Sequence, residues 1–449
     1  MSVRELRASL CLAGIFGLRM LGMFIILPVF ALYAHSLPGG NSYTLVGIAL
    51  GAYGLTQALL QVAFGRLSDR WGRKPVIYLG LLIFAIGSFV AAAADNVYWV
   101  IAGRATQGAG AISAAVIALT ADLTSERNRT KAMAIIGMTI GATFALSMIV
   151  GPALGHVIGV PGIFAMTGFL ALLAILVVRF LVPDPDPAGE DTAGPPNVPL
   201  ARVLRDAQLM RLNAGIFVLH GVLMALFVVL PAALVQHLAP GAHWRAYLPA
   251  MLGSVAIMLP VMLASERDGW QKSAFVGAVA LLAAATAALG VFSHNLVALV
   301  LAMLLFFAAF NLLEASLPSL ISKLAPAGAK GTAIGVYSTT QFMGAFVGAA
   351  AGGWIAQQLG TGAVYWFCAA AALVWLAIAG GMNVSTGLST RRYRLPRLDS
   401  QRALGLEREL ATVPGVCEVT LSREGFAYLK VDSTGFDEEN VIRLIASKG

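Results

Sequence analysis

Twelve apolar segments run through this chain between residues 9 and 385. A bilayer core takes about 20 apolar residues as a helix. Within it every backbone N–H and C=O needs a partner inside the protein, which favours helices. The segments are 9–34, 44–66, 75–94, 98–122, 131–157, 161–182, 211–238, 246–265, 273–292, 296–323, 331–359 and 363–385. Links as short as Asp95-Asn96-Val97 and Ser293-His294-Asn295 make neighbours antiparallel hairpins. The first segment is too long for a signal-peptide core and reads as a retained span. Only 12% of residues are charged and 58% are hydrophobic, about half the charge of a soluble domain.

Basic residues set the orientation. Of 20 Lys and Arg up to residue 385, Arg19 and Arg104 lie inside spans and Arg245 lies on one face. The other 17 lie on the face of the N-terminus. Both termini are therefore expected in the cytoplasm of a bacterial-type inner membrane. The net charge of +8 is a topology signal, and no nucleic-acid partner is expected.

Residues 183–199, Pro-Asp-Pro-Asp-Pro followed by Gly, Pro and acidic residues, cannot bury a core. They divide the spans six and six: a bundle over 1–182, a linker over 183–210 and a second bundle over 211–385. Residues 127–155 loosely resemble 328–353, consistent with repeated halves. The tail, 386–449, differs. Arg391, Arg392, Arg394 and Arg397 suit anionic headgroups. A helix near 400–412, strands at 416–421 and 426–431 joined by the turn Ser422–Gly425, and a helix at 436–447 predict a small α+β, ferredoxin-like domain.

Four motifs carry chemistry. Gly65-Arg66-Leu67-Ser68-Asp69-Arg70-Trp71-Gly72-Arg73-Lys74 places five charges between spans two and three. Arg104 and Gln107 share a face of span four, and an arginine at membrane depth turns to the protein interior or a cavity. Gly151, Pro152 and Gly155 give span five a GxxxG packing face and a bend. Arg19 opens the fourth motif, which runs through Leu21-Gly22 to Pro28.

Together these residues resemble the major facilitator superfamily, in its twelve-span drug:proton antiporter branch and among members with a ferredoxin-like tail. The resemblance implies two six-helix bundles that rock about a central cavity, and export of small amphipathic compounds in exchange for protons. It implies that Asp69 meets a helix start in the other half, and that Arg73 pairs with an acid on span four, for which Asp122 matches. Gly65, Asp69, Arg70, Gly72, Arg73 and Asp122 would then form a conformational latch. It also ties Arg104 to proton coupling, and Gly151-Pro152-Gly155 to exchange rather than symport.

The coupling proton needs a titratable group at depth. Glu314 is the only acid deep inside any span, and a carboxyl group out of water keeps its proton more readily. His220 in span seven is the second candidate. Either could instead make structural hydrogen bonds. Cavity candidates are Arg19, Tyr53, Gln57 and Asn311, with Tyr337 and Gln341 four apart on span eleven; Gln61 shares a face with Tyr53 and Gln57, and Asn213 lies seven residues before His220.

No GxxxxGK[ST] occurs, so ATP-driven transport finds no support in the sequence. Cys11, Cys368 and Cys417 are far apart, which argues against a disulfide framework or a zinc site. The expectations are no enzyme activity, no metal and no cofactor beyond the proton gradient. The partners are a small-molecule substrate and the bilayer, with a monomeric transport unit. A sugar or metabolite exporter of the same fold, and a membrane sensor using the tail, stay open as alternatives.

Overall fold

The computed structural model of the chain describes residues 1–184, 200–267, 270–326, 330–382, 388–395, 400–422, 425–432 and 435–447. The membrane part is helical. In order it contains α1 (Val3–Phe24), α2 (Leu27–Ala34), α3 (Tyr43–Trp71), α4 (Arg73–Ala92), α5 (Val97–Ala109), α6 (Ser113–Asp122), α7 (Glu126–Val157) and α8 (Gly159–Leu181). Then follow α9 (Leu200–Arg205), α10 (Ala207–Val235), a 3-10 turn (Pro240–Ala242), α11 (Trp244–Arg267), α12 (Gln271–Val291), α13 (Leu296–Leu324), α14 (Lys330–Leu359) and α15 (Thr361–Gly380). Among the described residues, eleven spans are long and apolar enough to cross a bilayer. The twelfth, α14, is equally long at 30 residues. It is more polar because it carries Tyr337, Thr339, Thr340 and Gln341 into the centre of the molecule.

Two predicted spans are broken. Span one splits into α1 and α2 at Ile25–Ile26, just ahead of Pro28, whose ring cannot follow a helical carbonyl four residues earlier. Span four splits into α5 and α6 at Gly110–Ile112, after a glycine-rich run with weak helix propensity. Gly110 lies so close to α4 that a Cβ on it would sit 2.2 Å from the Gly80 carbonyl oxygen. The linker over 185–199 lies outside the described residues.

The halves meet along α3 and α14. Tyr43 donates its N–H to Gln357 at 2.8 Å near the face opposite the termini. Gln61 donates to Thr339 Oγ1 at 2.7 Å and to the Gly335 carbonyl at 3.3 Å nearer the terminal face. On the opposite face α2 also packs on α10, and α7 packs on the 3-10 turn and α11. His156, at the end of α7, rests on Gly241, where an added Cβ would lie 2.9 Å from the imidazole. The molecule is thus closed on the face opposite the termini.

The tail forms an antiparallel sheet of β1 (Leu388–Arg394), β2 (Val416–Ser422) and β3 (Phe426–Asp432), in the order β1-β3-β2. Helices α16 (Ser400–Ala411) and α17 (Glu438–Ser447) accompany it. Leu406, Leu410, Ala427, Leu429, Val431 and Val441 fill its core. This is a βαββα ferredoxin-like arrangement. The basic stretch 391–394, read in the sequence as a linker ahead of the domain, is the edge strand β1, with Arg391 opposite Leu429 and Arg394 opposite Phe426. The turn residues 423–424, and Arg397, lie outside the described residues.

Candidate functional site

At the terminal face, α3 continues through Asp69 and Arg70 to Trp71, and Gly72 alone makes the turn, with φ at +89°. That left-handed conformation suits glycine. Gly65 faces Ala114 of α6, which would stand at an ordinary contact distance of 3.4 Å from an added Cβ. Arg73 gathers the cluster. Its Nε donates to Asp122 Oδ2 at 3.1 Å and its Nη1 to Ser68 Oγ at 2.9 Å, and it pairs with Asp69. The pairing of Arg73 with Asp122 is as expected. Asp69 differs: its side chain is 63% exposed and bonds Arg73, one turn on, rather than a helix start in the other half. The reason is the longer α3, which holds Asp69 beside Arg73 while the nearest inter-half bond is two turns away at Gln61. Arg70 is exposed. Replacing Arg73 by Ala should cost about 1 kcal/mol of stability, since the pairs are only half-buried; thermal melts in detergent would read it.

A second ion pair closes the first bundle. Lys74 Nζ lies 2.7 Å from Asp184 Oδ1 and donates to the Val182 carbonyl at 2.7 Å, tying the start of α4 to the end of α8. The hydrogen bond from Lys74 holds the Asp184 carboxyl below its usual value. A depressed carboxylate stabilises the fold above its unfolded pKa, and that contribution disappears as pH falls through the lower folded value. The Asp184 side chain is 79% exposed, so the effect is at most about 0.5 kcal/mol. Asp184→Asn should melt slightly below the parent at pH 7 and together with it at pH 3.

Two polar clusters lie deep between the faces. In the first bundle Arg19 and Arg104 are both fully buried and approach the Tyr53 ring at 5.8 and 5.1 Å. Arg19 donates to Ser113 Oγ at 3.2 Å and to Gln57. Arg104 donates to the Gly22 carbonyl at 3.2 Å, beside the α1–α2 break, and to Gln107 at 2.9 Å, which in turn donates to Ser88 at 2.8 Å. Cation–π contact and neutral acceptors carry these two charges. Gly151 and Gly155 seat α7 against the same break, where added Cβ atoms would lie 2.7 Å from the Ile25 carbonyl and 3.0 Å from Val29. Pro152 lies inside α7 between them.

In the second bundle α10, α13 and α14 bring His220, Glu314 and Gln341 together. The Gln341 side-chain amide lies 2.8 Å from His220 Nε2 and donates to Glu314 Oε1 at 3.2 Å, and His220 Nδ1 stands 3.8 Å from Glu314 Oε2. Asn311 donates to Ser254 at 3.0 Å. The Tyr337 hydroxyl and both side-chain polar atoms of Asn213 are buried without a protein hydrogen bond, so water or a ligand is their natural partner. An aromatic layer separates the clusters and joins the halves. Phe144 lies 5.4 Å from Phe310 and 6.0 Å from Phe307, Phe310 lies 5.8 Å from the His220 ring, and Tyr53 lies 6.4 Å from Phe342.

Arg104 therefore belongs to a different cluster from His220 and Glu314. Ser113, Ser254, Thr339 and the bridging phenylalanines were not anticipated. Only the run Phe306-Phe307-Phe310 held a signal for the aromatic layer.

The family model described as Major Facilitator Superfamily matches residues 12–341 and 241–382. The inner membrane transport protein YajR of Escherichia coli K12 is 43% identical over 450 residues, covering 99% of this chain and 98% of that protein. The class H tetracycline resistance protein of Pasteurella multocida is 30% identical over 36% of this chain and 41% of its own. The solved structure of a bacterial homologue of the human lysosomal transporter Spinster, inward-facing and occupied, superposes with a TM-score of 0.71 at 13% identity, over 85% of this chain and 97% of that one.

Proposed function

The chain belongs to the Major Facilitator Superfamily, and we propose that it exports small amphipathic compounds in exchange for protons, as the drug:proton antiporters of that family do. It is a multi-pass membrane transporter for a small-molecule substrate and not an enzyme. The rest is our reading. It works in the inner membrane with both termini cytoplasmic, as the excess of Lys and Arg on their face supports. The transport unit is the monomer, and the proton gradient is its only energy source.

The observation that carries this reading is the Glu314–Gln341–His220 group. A proton can shift a conformational equilibrium only through unequal affinity for the two states. Glu314 and His220 stand on different helices, with Gln341 on a third that packs along the other half. These three helices belong to one half and move together, so rocking changes what the other half presents to the pair, through the contact of Phe144 with Phe310 beside the His220 ring. The aromatic layer beside them, Phe144, Phe307 and Phe310, offers an apolar wall for an amphipathic cargo. The partial likeness to a tetracycline resistance protein agrees with such a cargo.

The reading is tested with everted membrane vesicles containing the chain and a fluorescent amphipath such as ethidium. Uptake should rise when a proton gradient is imposed and collapse when an uncoupler removes it. Uptake indifferent to the gradient would remove the antiport claim.

A further inference from the structure

Among the described residues, the tail domain meets the transport core where β1 packs on α13 and through a cross-strand pair of charges. Glu418 on β2 and Lys430 on β3 are partners in the antiparallel register, a placement that normally joins opposite charges to each other. Here both also reach out to the membrane part. Glu418 Oε1 accepts from Arg202 Nη2 at 2.6 Å. Arg202 lies on α9, which leads directly into α10. Lys430 Nζ donates to the Leu324 carbonyl at 2.7 Å and the Ala325 carbonyl at 3.4 Å, at the end of α13. A helix C-terminus presents unpaired carbonyls and the negative end of its dipole, so an ammonium fits there on both counts. Burial beneath the domain lowers the Lys430 pKa, while Glu418 and Asp206 act in the opposite sense.

The gripped helices are the ones that carry the titratable pair. His220 is on α10, and Glu314 is on α13, ten residues before Leu324. The grip is narrow: a cavity of about 480 Å³ opens beside it, bordered by Arg202, Asp206, Pro326 and the exposed Cys417. Partly exposed charge pairs beside an open gap are worth little each, so such a contact can open and close.

We propose that the tail domain is a reversible brace across α9–α10 and α13, which sets the spacing of His220 and Glu314 in the state closed on the face opposite the termini. The consequence for transport rests on the reading of those two residues as proton carriers. The docking itself does not. Because α9, at the end of the linker, packs on α10 and α14 and α13 belongs to the same bundle, the brace acts on the coupling site from within one half and does not bolt the halves together.

Cys417 and Pro326 border the same gap, so cross-linking of the native Cys417 to Pro326→Cys reports docking. The full chain, with Cys11→Ser, Cys368→Ala and Pro326→Cys as background, is treated with a bismaleimide in proteoliposomes, and ethidium export is recorded across pH. Arg202→Glu and Lys430→Met should each lower the cross-linked fraction severalfold and shift the pH of half-maximal export. The charge swap Arg202→Glu with Glu418→Arg should restore both readouts. Unchanged cross-linking in both single variants overturns the docking, and reduced cross-linking with an unmoved pH midpoint overturns the coupling. If the background chain exports ethidium without regard to the gradient, the proton reading fails instead, and the cross-linking series with its rescue still decides the brace.

Discussion

Replacing Glu314 by glutamine should abolish gradient-driven accumulation of substrate while leaving energy-independent exchange in place. The side chain keeps its shape, and its oxygen can still accept from the Gln341 amide that now lies 3.2 Å from Glu314 Oε1. What disappears is the ability to bind a proton differently in the two states. Without that difference a pH gradient has nothing to act on, so uphill transport should fall by about tenfold or more. His220, 3.8 Å away, would remain as an imidazole without its nearby carboxylate. The check is a pair of assays on one preparation: uphill uptake into everted vesicles, and counterflow of labelled for unlabelled substrate without a gradient. Loss of the first with retention of the second supports Glu314 as a coupling group. Loss of both marks a binding or folding role, and retention of both moves the proton elsewhere. Glu314→Ala is the harsher control, since it strands the Gln341 amide in a buried site.

Much of this architecture is written in local patterns. Each membrane span shows because the bilayer imposes a length of apolar residues on a helix. The Arg73–Asp122 pair was legible through the family resemblance, which implied an acid on span four for Arg73, and Asp122 is the residue that matched. The breaks at Ile25 and at Gly110 were half legible. Pro28 and Gly110 stood in the sequence, but whether a helix bends or stops at such residues depends on what packs beside them, here α7 and α4. The strand β1 was hidden because Arg391 and Arg394 give it the charge pattern of a membrane-surface linker; its strand character comes from β3, more than 30 residues later. Asp69 bonds Arg73 instead of a helix start in the other half because α3 runs on past the apolar segment and holds the two side by side. Glu314 and His220 each stood out as polar groups in apolar spans. Their meeting, and the Gln341 between them, arises from the packing of three helices distant in sequence. The grip of Lys430 on α13 follows from how the tail docks, and no local spacing encodes that.

The second large effect is expected at Gly47, from close packing instead of charge. On the face opposite the termini, α3 and α14 come together backbone to backbone. A Cβ on Gly47 would lie 2.2 Å from the Ala349 carbonyl oxygen, and one on Gly353 would lie 2.3 Å from the Tyr43 carbonyl oxygen. These contacts cross from one half to the other, so Gly47→Leu drives a wedge between bodies that each keep their own core. An overpacked contact costs about 1–3 kcal/mol, and each 1.4 kcal/mol shifts a two-state ratio by about tenfold. The halves can relieve the strain by separating on that face, so the population should move about ten- to hundredfold toward the state open there. Transport should fall in proportion, because a carrier that cannot close on one side cannot finish its cycle. The readout is a cysteine at Ala349, buried in this interface, probed with a membrane-impermeant maleimide from the face opposite the termini. Gly47→Leu should expose it, with the protein still eluting as a folded monomer. Gly348→Leu makes the contrast. There an added Cβ meets the Gly221 carbonyl oxygen at 2.1 Å, inside the second bundle, where no rigid-body motion of the halves gives relief. That variant should lose folded protein, while Gly47→Leu should lose transport and keep the fold. If Gly47→Leu left both labelling and flux unchanged, the closed packing of α3 on α14 would not be a step of the transport cycle.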